Sequence, residues 1–195
     1  MLRSARPTSD TFAHEESSIG QQQTTAVLGD PDTWGELRER TVTWHDPMTT
    51  VTLGLAMSGA DYLTAMAEGK LPVSPIISTA GMEAVHIEPG DVLMRCVADE
   101  SFVNPIGVVH GGLISMLLDS AASAAVHSTL PAGVGFTTIE IKVSYLRAVR
   151  AGDELLVHGW VVKPGSRICF AEADIRSADG KAVATATTTL LIIGG

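Results

Sequence analysis

Cysteine is scarce in this chain: Cys96 and Cys169 are the only two in 195 residues. Two thiols cannot build a disulfide scaffold, so the fold must be held by its core. Aromatic side chains make up 5% of the sequence, which leaves aliphatic residues and alanine to fill that core. Positive charge is also thin. Lys and Arg number 13 against 22 Asp and Glu, for a net charge of −9. An acidic balance excludes a broad phosphate-binding groove, and no nucleic-acid partner is expected. It leaves room for an anionic small molecule, which a few local donors or a helix N-terminus can hold. No apolar run approaches the roughly 20 residues that span a bilayer, so no membrane partner is expected. Residues 1–20 lack the apolar stretch of a signal peptide. The expectation is a soluble, cytoplasmic protein.

Catalytic signatures are missing too. The six histidines show no paired ligand spacing, so no metal is expected. There is no Gly-x-Ser-x-Gly elbow of the kind that marks an α/β-hydrolase. Gly133-Val134-Gly135 precedes a strand pattern and is not a dinucleotide fingerprint, so no cofactor is expected.

The pattern that is present divides at about residue 50. Residues 1–50 carry four basic and eight acidic side chains, net −4, which leaves −5 for residues 51–195. The first segment is polar and aperiodic. It reads as a partly disordered extension, with a mobile tail over 1–29 and a short helical turn over 32–40. Residues 51–195 read as the folded domain. Leu53, Ala56, Met57, Ala60, Leu63, Met66 and Ala67 recur at spacings of three and four, which predicts one helix over 53–70. Pro72 and Pro75 then suggest an extended connection. Strand patterns follow at 81–87 and 91–97, split by the turn sequence at 88–91. A helix is expected from Gly111 to Ser128. Four more strands are expected at 137–146, 154–162, 166–177 and 181–193. The Ala-Asp-Gly-Lys at 178–181 is a strong hairpin signal. Short turns favour an antiparallel sheet with one helix packed on its face, an α+β architecture.

The helix that begins at Gly111 is apolar nearly all round and should be buried. Its second half is rich in Ala and Ser, which lets a sheet approach closely. Asp119 stands in its middle. A carboxylate there is costly unless paired, so it is either a satisfied core acid or a candidate base or nucleophile. Asn104-Pro-Ile-Gly-Val-Val-His110-Gly111-Gly112 leads into the same helix. Gly111 and Gly112 offer N–H groups at a helix N-terminus, suited to developing negative charge on an oxygen. The alternative is that the glycines only permit close packing. Gly111 and Asp119 are eight residues apart, about 12 Å along one helix axis. An oxyanion donor and a base must both lie within roughly 3 Å of one reacting group. A single copy of the helix cannot easily supply both, whereas two copies related by a two-fold axis can.

The element order, with Asn-Pro-Ile-Gly-Val-Val-His-Gly-Gly followed by Leu-Leu-Asp119-Ser-Ala, resembles the PaaI-like branch of hotdog-fold acyl-CoA thioesterases. The resemblance covers residues 53–193. It implies an antiparallel sheet wrapped around a central buried helix and hydrolysis of an acyl-CoA. It also implies a homodimer or a dimer of dimers. By position it assigns Asp119 as the catalytic carboxylate and Gly111 as the oxyanion donor. It implies that Asn104 helps hold the substrate carbonyl or order the reacting groups, and that His110 lies near the leaving thiolate. Thr138 orients the water. Each has a plainer reading: His110 as a helix cap, Asn104 as a loop fastener, Thr138 as an ordinary strand residue. A hotdog 3-hydroxyacyl thioester dehydratase and a non-catalytic acyl-CoA binding module remain alternatives. Cys96 and Cys169 read as packed thiols. Arg147, Arg150, Lys163 and Arg167 cluster late in the sequence, as contacts for coenzyme A phosphates or as solvated charges. Met57, Met66, Met82 and Met116 suit an adaptable pocket or ordinary core.

Overall fold

The computed structural model describes residues 26–194, so the tail expected over 1–29 falls almost wholly outside the described residues. The chain divides into two units between Glu39 and Arg40. In the first, the helical turn expected over 32–40 is only three residues long, Pro31–Thr33. Asp30 caps it by accepting from the Asp32 N–H, and Pro31 supplies the fixed φ of a first turn.

In the second unit, the single helix expected over 53–70 is two helices, α1 (Pro47–Gly54) and α2 (Gly59–Ala67). Each has its own start. The Asp46 side chain accepts from Met48 N–H and Pro47 follows it; Ser58 accepts from Asp61 N–H. Apolar spacing of three and four runs across the break, so periodicity alone could not reveal it. The extended connection expected after Pro72 is instead a short helix, α3 (Pro75–Ala80). Pro75 sits at the first helical position, where it favours a helix. Gly81 closes α3 in the left-handed conformation (φ 66°).

The strands are β1 (Met82–Glu88), β2 (Asp91–Val97), β3 (Gly135–Tyr145), β4 (Glu154–Lys163), β5 (Ile168–Ser177) and β6 (Ala182–Ile193). They form one antiparallel sheet in the order β1-β2-β4-β5-β6-β3. Between β2 and β3 comes α4 (Gly111–His127), which packs across the sheet. This is the hotdog arrangement. Side chains alternate inward along β2, β4 and β5, as a sheet with one covered face requires. Leu117, Leu118, Ala121, Ala122, Ala125 and Val126 of α4 are fully buried against Leu155, Val157 and Ile175. Each large aliphatic side chain buried this way contributes about 1.5–3 kcal/mol.

One position sets how near helix and sheet come. A Cβ on Gly159 of β4 would collide with the backbone of Ala121 and Ala122. The alanines of α4 and the missing side chain of Gly159 together allow this close approach. At the end of α4, Ser128 Oγ accepts from Gly90 N–H (2.8 Å) in the β1–β2 turn and fixes the helix exit.

Both cysteines are free and buried. Burial raises the pKa of each thiol above its ordinary value, and Cys96 donates to the Ala80 carbonyl. Native protein at neutral pH is therefore expected to resist a thiol reagent, and urea-unfolded protein to react at both positions. Rapid labelling of native protein in a timed thiol assay would contradict this packing. Among the described residues no helix is long and apolar enough to cross a membrane.

Candidate active site

Asp119 occupies the middle of α4 and is half-buried. Its Oδ1 accepts a hydrogen bond from Thr138 Oγ1 at 2.9 Å. Ser123, one turn on, lies 3.4 Å from the same hydroxyl. The sequence suggested Asp119 and Thr138 separately, and the structure brings them together. A local irregularity in β3 helps. Thr138 pairs with Leu190 and Glu140 with Thr189, so Ile139 is an extra residue in the ladder. Before this bulge Phe136 and Thr138 face inward; after it, Ile141 and Val143 do. In a regular strand without this bulge, Thr138 and Ile141, three residues apart, would lie on opposite faces.

The entry to α4 holds a second group. His110 is the N-cap, and its Nδ1 accepts from Gly112 N–H at 2.8 Å. That fixes the proton of a neutral ring on Nε2. Asn104 Oδ1 accepts from Ile106 N–H (3.0 Å) and Val108 N–H (3.3 Å), folding the loop back on itself. Both plainer readings are therefore realised in the geometry. The Gly111 N–H stands in the first turn with no acceptor among the described residues, at the positive end of the helix dipole.

Sequence reasoning missed Tyr145. Its hydroxyl donates to the Gly111 carbonyl (3.1 Å) and lies 2.6 Å from Ser115 Oγ. A Cβ on Gly111 would stand 3.3 Å from the Tyr145 ring. The only sequence signal was Ser115, four residues after Gly111 and so on the same helix face.

The two groups are separate within one chain. Asn104, His110 and Gly111 lie at the start of α4, and Asp119 with Thr138 lies two turns on, about 12 Å along the axis. The four late cations are not brought together either. Arg147 and Arg150 precede β4, while Lys163 and Arg167 lie at its far end. A ten-residue strand puts those pairs about 30 Å apart.

Asp119 opens onto a cavity of about 670 Å³. The cavity runs along the α4 face that carries Asp119, Ser123 and His127. Its other walls come from α2, α3, β1 and β2, including Leu63, Met66, Ile77, Met82 and Met94. Of the methionines singled out by sequence, Met66 and Met82 line it. Met116 packs on the core, and Met57 borders a different hollow. At the far end His127 lies between Tyr62 and Phe136, with ring centroids 5.2 and 5.3 Å away. Burial lowers the His127 pKa and raises that of Tyr62, so both are neutral near pH 7. Among the described residues, no group of three or more His, Cys, Asp or Glu is placed to hold a metal ion.

Comparison with known proteins agrees with this architecture. The family model of the thioesterase superfamily matches residues 106–184, which include His110, Gly111, Asp119 and Thr138 and begin just after Asn104. A phenylacetic acid degradation-related protein of Ralstonia eutropha JMP134 superposes with a TM-score of 0.62 at 32% identity. The match covers 67% of this chain and 98% of that one. A protein of Streptococcus pneumoniae, described as a hypothetical thioesterase and solved with coenzyme A, gives a TM-score of 0.55 at 28% identity. It covers 58% of this chain and 86% of its own. Variants of the pneumococcal protein with an aspartate or a threonine replaced by alanine superpose equally well. Human acyl-coenzyme A thioesterase 13 is 28% identical over 101 residues, 51% of this chain and 71% of that one. The chain belongs to the thioesterase superfamily, among the PaaI-like hotdog enzymes.

Proposed function

We propose that the protein is an acyl-CoA thioesterase whose active site is shared between two subunits, with residues 51–195 as the thioesterase domain. The observation that carries this reading is the Thr138–Asp119 hydrogen bond at the wall of a largely apolar cavity. It holds a carboxylate oriented where an acyl group has room. In the reaction, the thioester carbonyl lies against the Gly111 N–H of one subunit. Asp119 of the other takes a proton from water as it attacks the carbonyl carbon, or attacks that carbon itself. Negative charge gathers on the carbonyl oxygen and is held by the N–H. Collapse breaks the carbon–sulfur bond. The thiol leaves with a proton. On the water route the acyl group is then the carboxylic acid; on the covalent route it is an acyl–aspartyl anhydride, which water hydrolyses to the acid and free Asp119. Thr138 orients the Asp119 carboxylate. Asn104 keeps the entry loop folded, and His110 both caps α4 and presents Nε2–H towards the leaving group. Coenzyme A in the pneumococcal relative and acyl-CoA in the name of the human one support the thiol assigned here.

Assembly follows from the 12 Å separation and from the sheet. β3 is an edge strand whose unpaired backbone suits pairing with a second copy. Ile139, Tyr145 and Leu146 are exposed around it. A homodimer, alone or within a dimer of dimers, brings one Gly111 to the other Asp119.

Mixing inactive subunits tests this. Gly111→Pro removes the N–H at the one helical position where proline is tolerated, and the extended His110 (ψ 133°) accepts a following proline. Asp119→Ala removes the carboxylate. Refolded together, the two inactive proteins are expected to regain roughly a quarter of wild-type turnover, because half the dimers are mixed and each has one intact site. Mixed dimers verified by mass and devoid of activity would sink the shared site.

A further inference from the structure

The cavity below Asp119 ends in polar side chains that no other protein group engages. Asp119, Ser123 and His127 are spaced four residues apart on α4, so the cavity extends about 12 Å along the helix from carboxylate to imidazole. Between these ends the wall is mostly aliphatic, with Met66, Ile77 and Ala124. At the far end stand the rings of His127 and Tyr62, the latter carrying a hydroxyl. Among the described residues neither the imidazole nitrogens nor that hydroxyl has a hydrogen-bond partner. No side-chain polar atom among the described residues is both buried and unpaired, so water reaches these groups, and a ligand that displaces it must offer a polar atom in return. A neutral imidazole offers one donor and one acceptor, and a phenol offers the same pair. Phe136 packs against the His127 ring, 5.3 Å between centroids.

Resting on the thioesterase reading, we propose that the acyl group hydrolysed here is of medium length and carries an uncharged oxygen, a hydroxyl or keto group, at its far end, held by His127 and Tyr62. Charge at that end does not fit. The charged residues lining the cavity are Asp119 and Glu83, with no Lys or Arg among them. A terminal carboxylate would give up its hydration for two neutral donors, with no cation on the wall to offset the loss. A terminal ammonium would give up its hydration for two neutral acceptors, while Glu83 is already paired with Arg95.

The test compares octanoyl-CoA with 8-hydroxyoctanoyl-CoA, and with thioesters of the same length ending in a carboxylate or an ammonium group. For the full-length protein, kcat/KM is expected to be about tenfold higher for the hydroxylated chain than for the plain one. Tyr62→Phe and His127→Leu should each bring that ratio close to one, whatever the absolute rates. Because the ratio is internal to each variant, a partly unfolded sample does not disguise it. Calorimetric titration of the Asp119→Asn protein with the same compounds reads the pocket without turnover. Tighter binding of the hydroxylated chain, lost in Asp119→Asn with Tyr62→Phe, supports the proposal even if wild-type protein hydrolyses none of the thioesters. That result would remove only the thioesterase reading. Equal preference for plain and hydroxylated chains, or preference for either charged end, overturns it.

Discussion

Replacing Asp119 with Asn is expected to lower acyl-CoA turnover by about 10²–10⁴-fold, the usual contribution of a placed acid–base group. The change is close to isosteric. The Asn side-chain oxygen still accepts from Thr138 Oγ1, so the bond that now orients Asp119 survives. What disappears is the capacity to take a proton or to attack. The thermal midpoint should therefore stay within a few degrees of wild type while kcat collapses. Substrate binding, read by calorimetry, should persist because the cavity walls are untouched. Steady-state kinetics on a short acyl-CoA panel checks the first part. Turnover within a few-fold of wild type would remove Asp119 from the chemistry, and with it the proposed mechanism. Single-turnover hydrolysis in oxygen-18 water separates the two roles left open. Label retained in the Asp119 carboxylate marks covalent attack; label only in the released acid marks activation of water.

Replacing Gly159 with Val is expected to cost about 3 kcal/mol or more, the upper range for overpacking. The reason is what the new side chain would meet. Its Cβ would fall on the Ala121 carbonyl and the Ala122 amide, which are backbone atoms of a fully buried helix turn. Flexible side chains could rotate aside, but a hydrogen-bonded helix cannot yield locally. Either α4 lifts from β4 or the sheet bends away, and both open the core around Leu117, Leu118 and Val157. Urea unfolding should show a large fall in midpoint. His158→Ala, on the neighbouring residue with a half-exposed side chain, should move it far less. A Gly159→Val protein as stable as wild type would mean that α4 and β4 are not in the contact described.

These two residues show how unevenly the sequence disclosed the molecule. Asp119 was legible because a charge in an apolar helix is conspicuous in any reading of hydropathy. Gly159 was silent, because a glycine inside a strand pattern says nothing of which helix turn approaches it. The strands and α4 were legible because turn residues and periodicity are local signals, and the structure keeps their order. The division between α1 and α2 was not. Caps at Asp46 and Ser58 compete with an unbroken apolar spacing, and only packing shows which prevails. At Pro75 two local rules conflict, since proline can open a helix or extend a connection, and here it opens α3. In the site, motif residues gave Asn104, His110, Gly111, Asp119 and Thr138. The loop bonds of Asn104 and the cap of His110 are local and could be anticipated. Tyr145 could not, because its contact with Gly111 depends on how β3 lies beside α4. Nor could the contact of His127 with Tyr62, which comes from α2, 65 residues earlier in the chain.

The extra residue at Ile139 shifts the alternation of β3 by one step, so Phe136 and Thr138 before it and Ile141 and Val143 after it all face inward. The half before it carries the hydroxyl that meets Asp119; the half after it turns Lys142 and Ser144 outward, and both halves lie on an edge strand. Through a regular strand, any slip of one register step would invert both halves together. The bulge works as a clutch between them. Substitutions accumulating at the exposed Lys142 and Ser144 can remake that outer face, while the geometry around the carboxylate is passed on unchanged. In this chain, an outer surface and the setting of a half-buried carboxylate share a strand yet are free to diversify at different rates.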